Sequence, residues 1–256
     1  MTVSQTSLRA ASRRALLWPG LATLVGVVAL AALGLWQVER LAWKEAILAR
    51  IESRAAAAPA PVPLEGAWPG LAPDDYDYRH VTATGRFEHA KEALVFRTLE
   101  AGKASEGGAG WLVLTPLRLP DGSAVIVNRG FVPDARRDMA TRADGQAAGD
   151  IAVTGLMRPP EARNAFTPAD APAKNQWFTR DPAAIAAALG VARAAPFTID
   201  ADADPRATLP PATLPRGGAT VTRPPNSHLS YALTWFALAL TLAGVFAAYA
   251  WKRLRT

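Results

Sequence analysis

The stretch ALLWPGLATLVGVVALAALGLW, residues 15–36, runs for 22 residues without a charge, and LSYALTWFALALTLAGVFAAYAW, residues 229–251, runs for 23. At 1.5 Å of rise per residue each makes a helix of roughly 33 to 35 Å, enough to cross a hydrocarbon core about 30 Å thick. Both read as transmembrane helices, and the rest of the chain is organised by them. Ala29-Leu30-Ala31 fits a small-x-small cleavage site and Ser12-Arg13-Arg14 resembles a twin-arginine signal. An apolar run of 22 nevertheless exceeds the 7 to 15 of a signal core, so retention of the first helix is expected.

The net charge of +6 is informative once located. Arg9, Arg13 and Arg14 precede the first run and Lys252, Arg253 and Arg255 follow the second, while residues 1–36 and 229–256 hold no acid. The remaining 22 basic residues face all 22 acidic ones between Gln37 and His228, so the middle of the chain is neutral. Under the positive-inside rule both termini are expected in the cytoplasm and about 190 residues on the other side. Only 14 residues precede the first run, which favours a bacterial inner membrane, with the mitochondrial inner membrane as the second choice. A nucleic-acid partner would need clustered basic charge on the soluble part, and none is expected. The absence of cysteine excludes disulfides and thiolate metal sites.

Beyond the first run, residues 37–58 keep apolar Leu41, Leu48 and Ile51 at helical spacing, so the helix is expected to continue past the membrane surface. The proline-rich APAPVP ends it. From Tyr76 onward YRHVTATGRFEH, ALVFRT, WLVLTPLRLPDGSAVIVNRGFVP, DIAVTGLMRPP and PFTIDA read as strands, with a turn at Pro120-Asp121-Gly122. In DPAAIAAALG, Asp181 can cap a short helix that Pro182 starts and Gly190 stops.

The fold expected is therefore an α+β membrane protein: two transmembrane helices flanking a small antiparallel β-sheet or partly closed barrel with one short helix. Its segments are a cytoplasmic N-terminus (1–14), a first span (15–36), a helical extension (37–58), a linker (59–75), an exported β-rich domain (76–204), a connector (205–228), a second span (229–251) and a cytoplasmic C-terminus (252–256).

No Gly-x-Ser-x-Gly, His-Glu-x-x-His, Walker loop or glycine-rich dinucleotide turn is present, so no catalytic residue is assigned and no enzyme is expected. Asp74, Asp75 and Asp77 read as a solvated loop. His80 and His89 flank Gly85, either as exposed strand histidines or, if their strands pair, as two ligands of a metal that lacks a third.

Near the first span, Arg40 and Lys44 share a helix face with Trp36 and, at its edge, Trp43. Neither cation has an acid three or four positions away, so both are expected to meet anions outside the helix: lipid phosphates, a ligand's carboxylates or another protein. His228 opens the second run with Tyr231 and Trp235 on its face. Asn226 or Ser227 can cap the helix, which leaves the imidazole as an interfacial residue or as a ligand, for which haem iron is the candidate.

Taken together, GLWQVERLAWKEAIL, YRHVTATGRF, GWLVLTPLRLPDGSAVIVNRGFVP, VTGLMRP, NQWFTRD and PPNSHLSYALTWFALA resemble the surfeit-locus family of assembly factors for haem-copper cytochrome oxidase, in order and over most of the chain. The resemblance implies a two-pass membrane chaperone that binds haem a transiently and helps deliver it to oxidase subunit I, with haem a synthase as a further candidate partner and membrane lipid around the spans. It also implies that His228 is the haem ligand, that Gly34, Trp36, Gln37 and Arg40 belong to the first-helix motif, and that Asn128, Arg129 and Gly130 belong to the sheet motif. On this reading Tyr231, Trp235 and Trp36 pack on the macrocycle, Arg40 or Lys44 meets a propionate, and there is no metal other than haem iron. The family pattern is expected to place two asparagines before the histidine, where this chain has Asn226 and Ser227. Serine preserves capping and removes only a contact specific to the amide. The alternative is a cofactor-free scaffold that stabilises subunit I.

Overall fold

The computed structural model describes residues 5–99, 108–203, 214–218, 220 and 226–255, with side chains from Leu16 onward. Most of the connector, residues 205–213 and 221–225, and the first four residues lie outside this set. The chain divides into two compact units, Met1–Arg50 with Arg223–Thr256, and Ile51–Thr222.

The first unit is a helical hairpin. Helix α1 spans Gln5–Ala55, continuing beyond the apolar run as its periodicity implied, and its partner, designated α4, spans His228–Arg255. Both are long and apolar enough to cross a membrane, and the chain is a membrane protein.

Their packing is antiparallel and uses absent side chains. A Cβ on Gly20 would sit 3.2 Å from the Phe246 ring, one on Gly26 2.8 Å from Leu242, and one on Gly34 2.6 Å from the Phe236 ring. Ala232 and Ala239 supply the small surfaces buried on α4. Lipid tails are as apolar as leucine, so helices in a bilayer associate through such close van der Waals fit rather than through hydrophobic driving force.

Aromatic residues mark both ends of the hairpin. Trp18, Tyr249 and Trp251 are exposed at one end and Trp36, Trp43 and Tyr231 at the other. The 18 residues from Trp18 to Trp36 rise about 27 Å, close to the thickness of a hydrocarbon core. Arg255 stacks on Trp251 at 4.0 Å, which suits a basic interfacial end.

The second unit is a closed five-stranded barrel. Strands β2 (His80–Phe87), β6 (Asp150–Arg158), β7 (Ala194–Ala201), β5 (Ala124–Pro133) and β4 (Gly108–Arg118) pair in that order, and β4 returns to β2 through Arg86↔Arg118 and Phe87↔Leu117. A Cβ at Gly85 would lie 2.3 Å from the Arg118 carbonyl oxygen, so the glycine inside this strand lets the barrel shut. Strand β3 (Ala93–Leu99) extends along β4, and the two-residue β1 (Ala60–Pro61) along β2.

The sheet is not wholly antiparallel. Strand β7 lies between β5 and β6 and runs parallel to β5, and β1 runs parallel to β2. Neither parallel pair is joined by a tight turn, so hairpin geometry does not dictate its direction.

Strand β5 shows why the barrel strands read as near-continuous apolar runs. Val125 and Val127 face the barrel interior with Phe197, Ile199 and Met157, while Ala124 and Ile126 face a second core with Ile185 and Trp177. Helix α3 (Pro182–Leu189) supplies Ile185; Asp181 accepts from the Ala183 and Ala184 amides, and Gly190 closes the helix in the left-handed conformation. Residues 59–75 do more than link: Trp68 from this stretch and Tyr76, in helix α2 (Pro73–Tyr76), pack against Phe197 at ring separations of 6.1 and 5.7 Å.

Two tests follow from the packing. Gly34→Leu should drive the Phe236 ring out of its place at a cost of about 1 to 3 kcal/mol, and adding Phe236→Ala should recover much of it, measured by thermal unfolding in detergent. In the barrel, Arg142, with a side chain 0% exposed, forks onto the Glu92 carboxylate, itself 9% exposed. Removing one partner leaves a buried charge, so Arg142→Met should destabilise by about 3 to 5 kcal/mol and the Arg142→Met, Glu92→Leu double variant by much less, as read from denaturant unfolding.

Candidate functional site

The hairpin register brings His228 to Gln37. The imidazole stands at the first position of α4, and its Nδ1 lies 2.7 Å from Oε1 of Gln37, 191 positions earlier in the chain. Both residues are half-buried. Asn226 Oδ1 accepts from the His228 amide at 3.4 Å and the Tyr231 amide donates to the Ser227 carbonyl, so neighbouring groups cap the helix. The imidazole is not used for capping.

The predicted aromatic and cationic residues lie on the same unit. Trp36 is 53% exposed and Tyr231 54% exposed, which leaves flat apolar surface available, while Trp235 is half-buried. The Arg40 guanidinium stacks over the Trp43 ring at 4.1 Å, and Lys44 has a contact of its own. The Trp43 ring gives Arg40 an aromatic neighbour on its own helix but no anion, so the stack supplements an anionic partner and does not replace it. Stacking engages a guanidinium face rather than its in-plane N–H donors, which can still donate to an oxyanion. The unit thus offers one imidazole, exposed aromatic surface and a stacked guanidinium.

The other histidines form no joint site. His80 places Nδ1 2.8 Å from the Ala57 carbonyl oxygen and Nε2 2.8 Å from Asp202, while His89 contacts the Ala147 carbonyl and Arg129. Among the described residues no group of three or more potential metal ligands occurs. In the acidic loop Asp74 and Asp75 are exposed, while Asp77 accepts from Arg158 at 2.8 Å and Arg54 donates to the Asp74 and Asp77 backbone carbonyls.

The Asn128-Arg129-Gly130 motif is architectural. Asn128 donates to Asp200 at 2.9 Å and accepts from the Gly130 amide, and Asp200 also receives Arg180 and Thr220. Gly130 has φ near 123°, with the Arg216 backbone where a Cβ would sit. Burial pushes the Arg129 guanidinium down to about 10; the Glu92 carboxylate opposes this and the Arg142 guanidinium reinforces it. Arg129 offsets burial by donating to the Gly145 carbonyl and stacking on Phe87.

Residues 24–240 match the SURF1 family. The chain belongs to the SURF1 family. Surfeit locus protein 1 of Mus musculus is 37% identical over 216 residues, covering 80% of this chain and 67% of that protein. The SURF1-like protein of Monosiga brevicollis is 37% identical over 249 residues, covering 94% and 90%, and Surfeit locus protein 1 of Homo sapiens is 37% identical over 217 residues, covering 80% and 69%. The family match spans both Gln37 and His228. The first-helix motif includes Gln37 without giving it a role; the sequence signal for one is its position at the apolar–polar boundary of α1, level with His228 in an antiparallel hairpin.

His80 makes the barrel's stability pH-dependent. Burial pushes its imidazole down, but the hydrogen bond to Asp202, the bond to Ala57 and the Asp202 charge together hold it above its ordinary value of 6.5. A raised pKa contributes stability that is fully present below about 6.5 and is lost as pH rises through the folded-state value. Thermal unfolding between pH 6 and 8 should show a fall in wild-type stability that Asp202→Asn makes shallower; identical slopes would remove Asp202 as the cause.

Proposed function

We propose that this protein is a membrane assembly factor for haem-copper cytochrome c oxidase that binds haem a transiently and assists its delivery to oxidase subunit I. Membership of the SURF1 family supports the role in cytochrome c oxidase assembly. The observation that carries the finer reading is the half-buried His228 at the head of α4, with Nδ1 held by Gln37 and exposed Trp36 and Tyr231 on the same unit.

In this reading haem a is cargo. His228 supplies an iron ligand, Trp36, Tyr231 and Trp235 offer apolar surface to the macrocycle, and Arg40 and Lys44 answer the propionates. Iron itself contributes only the bond to the imidazole. A single strong protein ligand suits a hand-over, because two would hold the iron against release. The role is that of a carrier rather than an enzyme: the Asp200, Glu92 and Glu161 carboxylates of the barrel are engaged by arginines, as structural groups are.

The sequence charges support a topology in which both termini face the cytoplasm and the barrel the periplasm of a bacterial inner membrane. Haem a synthase is a further candidate partner, as the donor of the cargo.

The test is an absorption spectrum of protein purified from cells that make haem a. Wild type should carry a Soret band, and His228→Ala should lose most of it while still co-purifying with subunit I. A full haem complement in the variant sinks the ligand assignment. Subunit I bound with no Soret band even in wild type favours the cofactor-free scaffold.

A further inference from the structure

The Gln37 carboxamide is placed with Oε1 2.7 Å from His228 Nδ1, and an oxygen has lone pairs and no proton, so in this orientation the hydrogen of the bond belongs on Nδ1. A neutral imidazole has one N–H, and its lone pair is then on Nε2. Free histidine prefers the opposite tautomer, with Nε2 protonated and unable to bind a metal until the proton moves. Which nitrogen binds is set by the hydrogen bond the other one makes.

We propose that Gln37 is a positioning residue that fixes the tautomer of His228, keeping Nε2 bare as the nitrogen that takes haem iron. The proposal rests on the haem-binding reading above and adds a second residue to it. Three features support it. Gln37 reaches His228 from the other helix, so the contact exists only when the hairpin is formed, in the register set by Gly20, Gly26 and Gly34. Both partners are half-buried, which limits competition from water for the Nδ1 proton. A neutral amide also differs in kind from a carboxylate partner: it orients the ring without adding a negative charge to the ligand. It therefore leaves the imidazole a weaker donor, as release of a cargo needs. Metal-binding histidines commonly donate their second N–H to such an acceptor, and loss of that partner lowers metal affinity by about 10- to 100-fold.

The experiment has two readouts on the full chain in nanodiscs. First, with no haem added, histidine is labelled with 15N and the tautomers are read from long-range proton–nitrogen correlations at mildly alkaline pH. The chain has 3 histidines, and His228→Ala identifies the signal of interest. Wild type should show Nδ1–H at His228, and Gln37→Met, similar in shape with no amide, should shift it toward Nε2–H. Second, ferric haem a is titrated in. Gln37→Met should bind about 10- to 100-fold more weakly, and Gln37→Glu, which keeps the acceptor, should restore affinity to wild type or above.

Nε2–H in the wild type overturns the proposal, because it means the amide presents its nitrogen to the ring. A tautomer shift in Gln37→Met with unchanged affinity overturns it as well. If His228→Ala binds haem as wild type does, the haem-ligand reading fails and takes the affinity claim with it. That failure is separable, because the tautomer is read before haem is present.

Discussion

The close approach of two helices at Gly20, Gly26 and Gly34 is the constraint on which the proposed site depends. In lipid no hydrophobic force presses α1 and α4 together; the fit of Phe246, Leu242 and Phe236 over positions that have no side chain lets them approach closely. That fit fixes the register of the hairpin, and the register decides which polar residue of α1 meets the histidine that opens α4. Gln37 and His228 are thus adjacent because of packing contacts that reach as far as Gly20 and Phe246, near Trp18 and Tyr249. A change in the glycine face would reach the imidazole without touching it.

The barrel obeys a different economy. The unit is apolar on both faces of β5, yet it also holds charges: Glu92 with Arg142, Asp200 with Arg180, and Arg129 with a carbonyl and a ring in place of an acid. Such groups add little net stability over apolar substitutes but are costly to break singly. The Asn128-Arg129-Gly130 motif belongs to this network, with Gly130 allowing the Arg216 backbone to cross close by. Its role is to lock β5 against neighbouring backbone. The motif therefore marks a close backbone crossing.

Much of this was legible in the sequence, and the gaps have physical causes. The two uncharged runs, the continuing period at Leu41, Leu48 and Ile51, and the Asp181-Pro182 and Gly190 punctuation of α3 are local signals, and the structure follows them. The strands were equally visible, but their order was not: closure of β4 on β2 and the parallel approach of β7 to β5 join residues far apart in the chain, which no local pattern encodes. Trp68 illustrates the same limit, since a proline-rich stretch gave no sign that it would pack on Phe197. At the candidate site, Trp36, Tyr231, Arg40 and His228 were found from face and spacing. Gln37 acquired a role only when a second helix was placed beside it, and the stacking of Arg40 on Trp43 replaced a free cation with a partly satisfied one.

A carrier must hold its cargo in a defined pose and still let it go. A single imidazole backed by a neutral amide, on a hairpin whose register is set by steric fit, meets both needs. The most direct test of that arrangement uses the absence of cysteine from the chain. Gly26→Cys and Leu242→Cys are combined, the protein is oxidised in its membrane, and the barrel is then cut with protease. The account predicts that the two helices remain joined until a reductant is added. Helices that separate without reductant, or that become joined between two copies, would contradict it, because the glycine face would then not be what sets His228 beside Gln37.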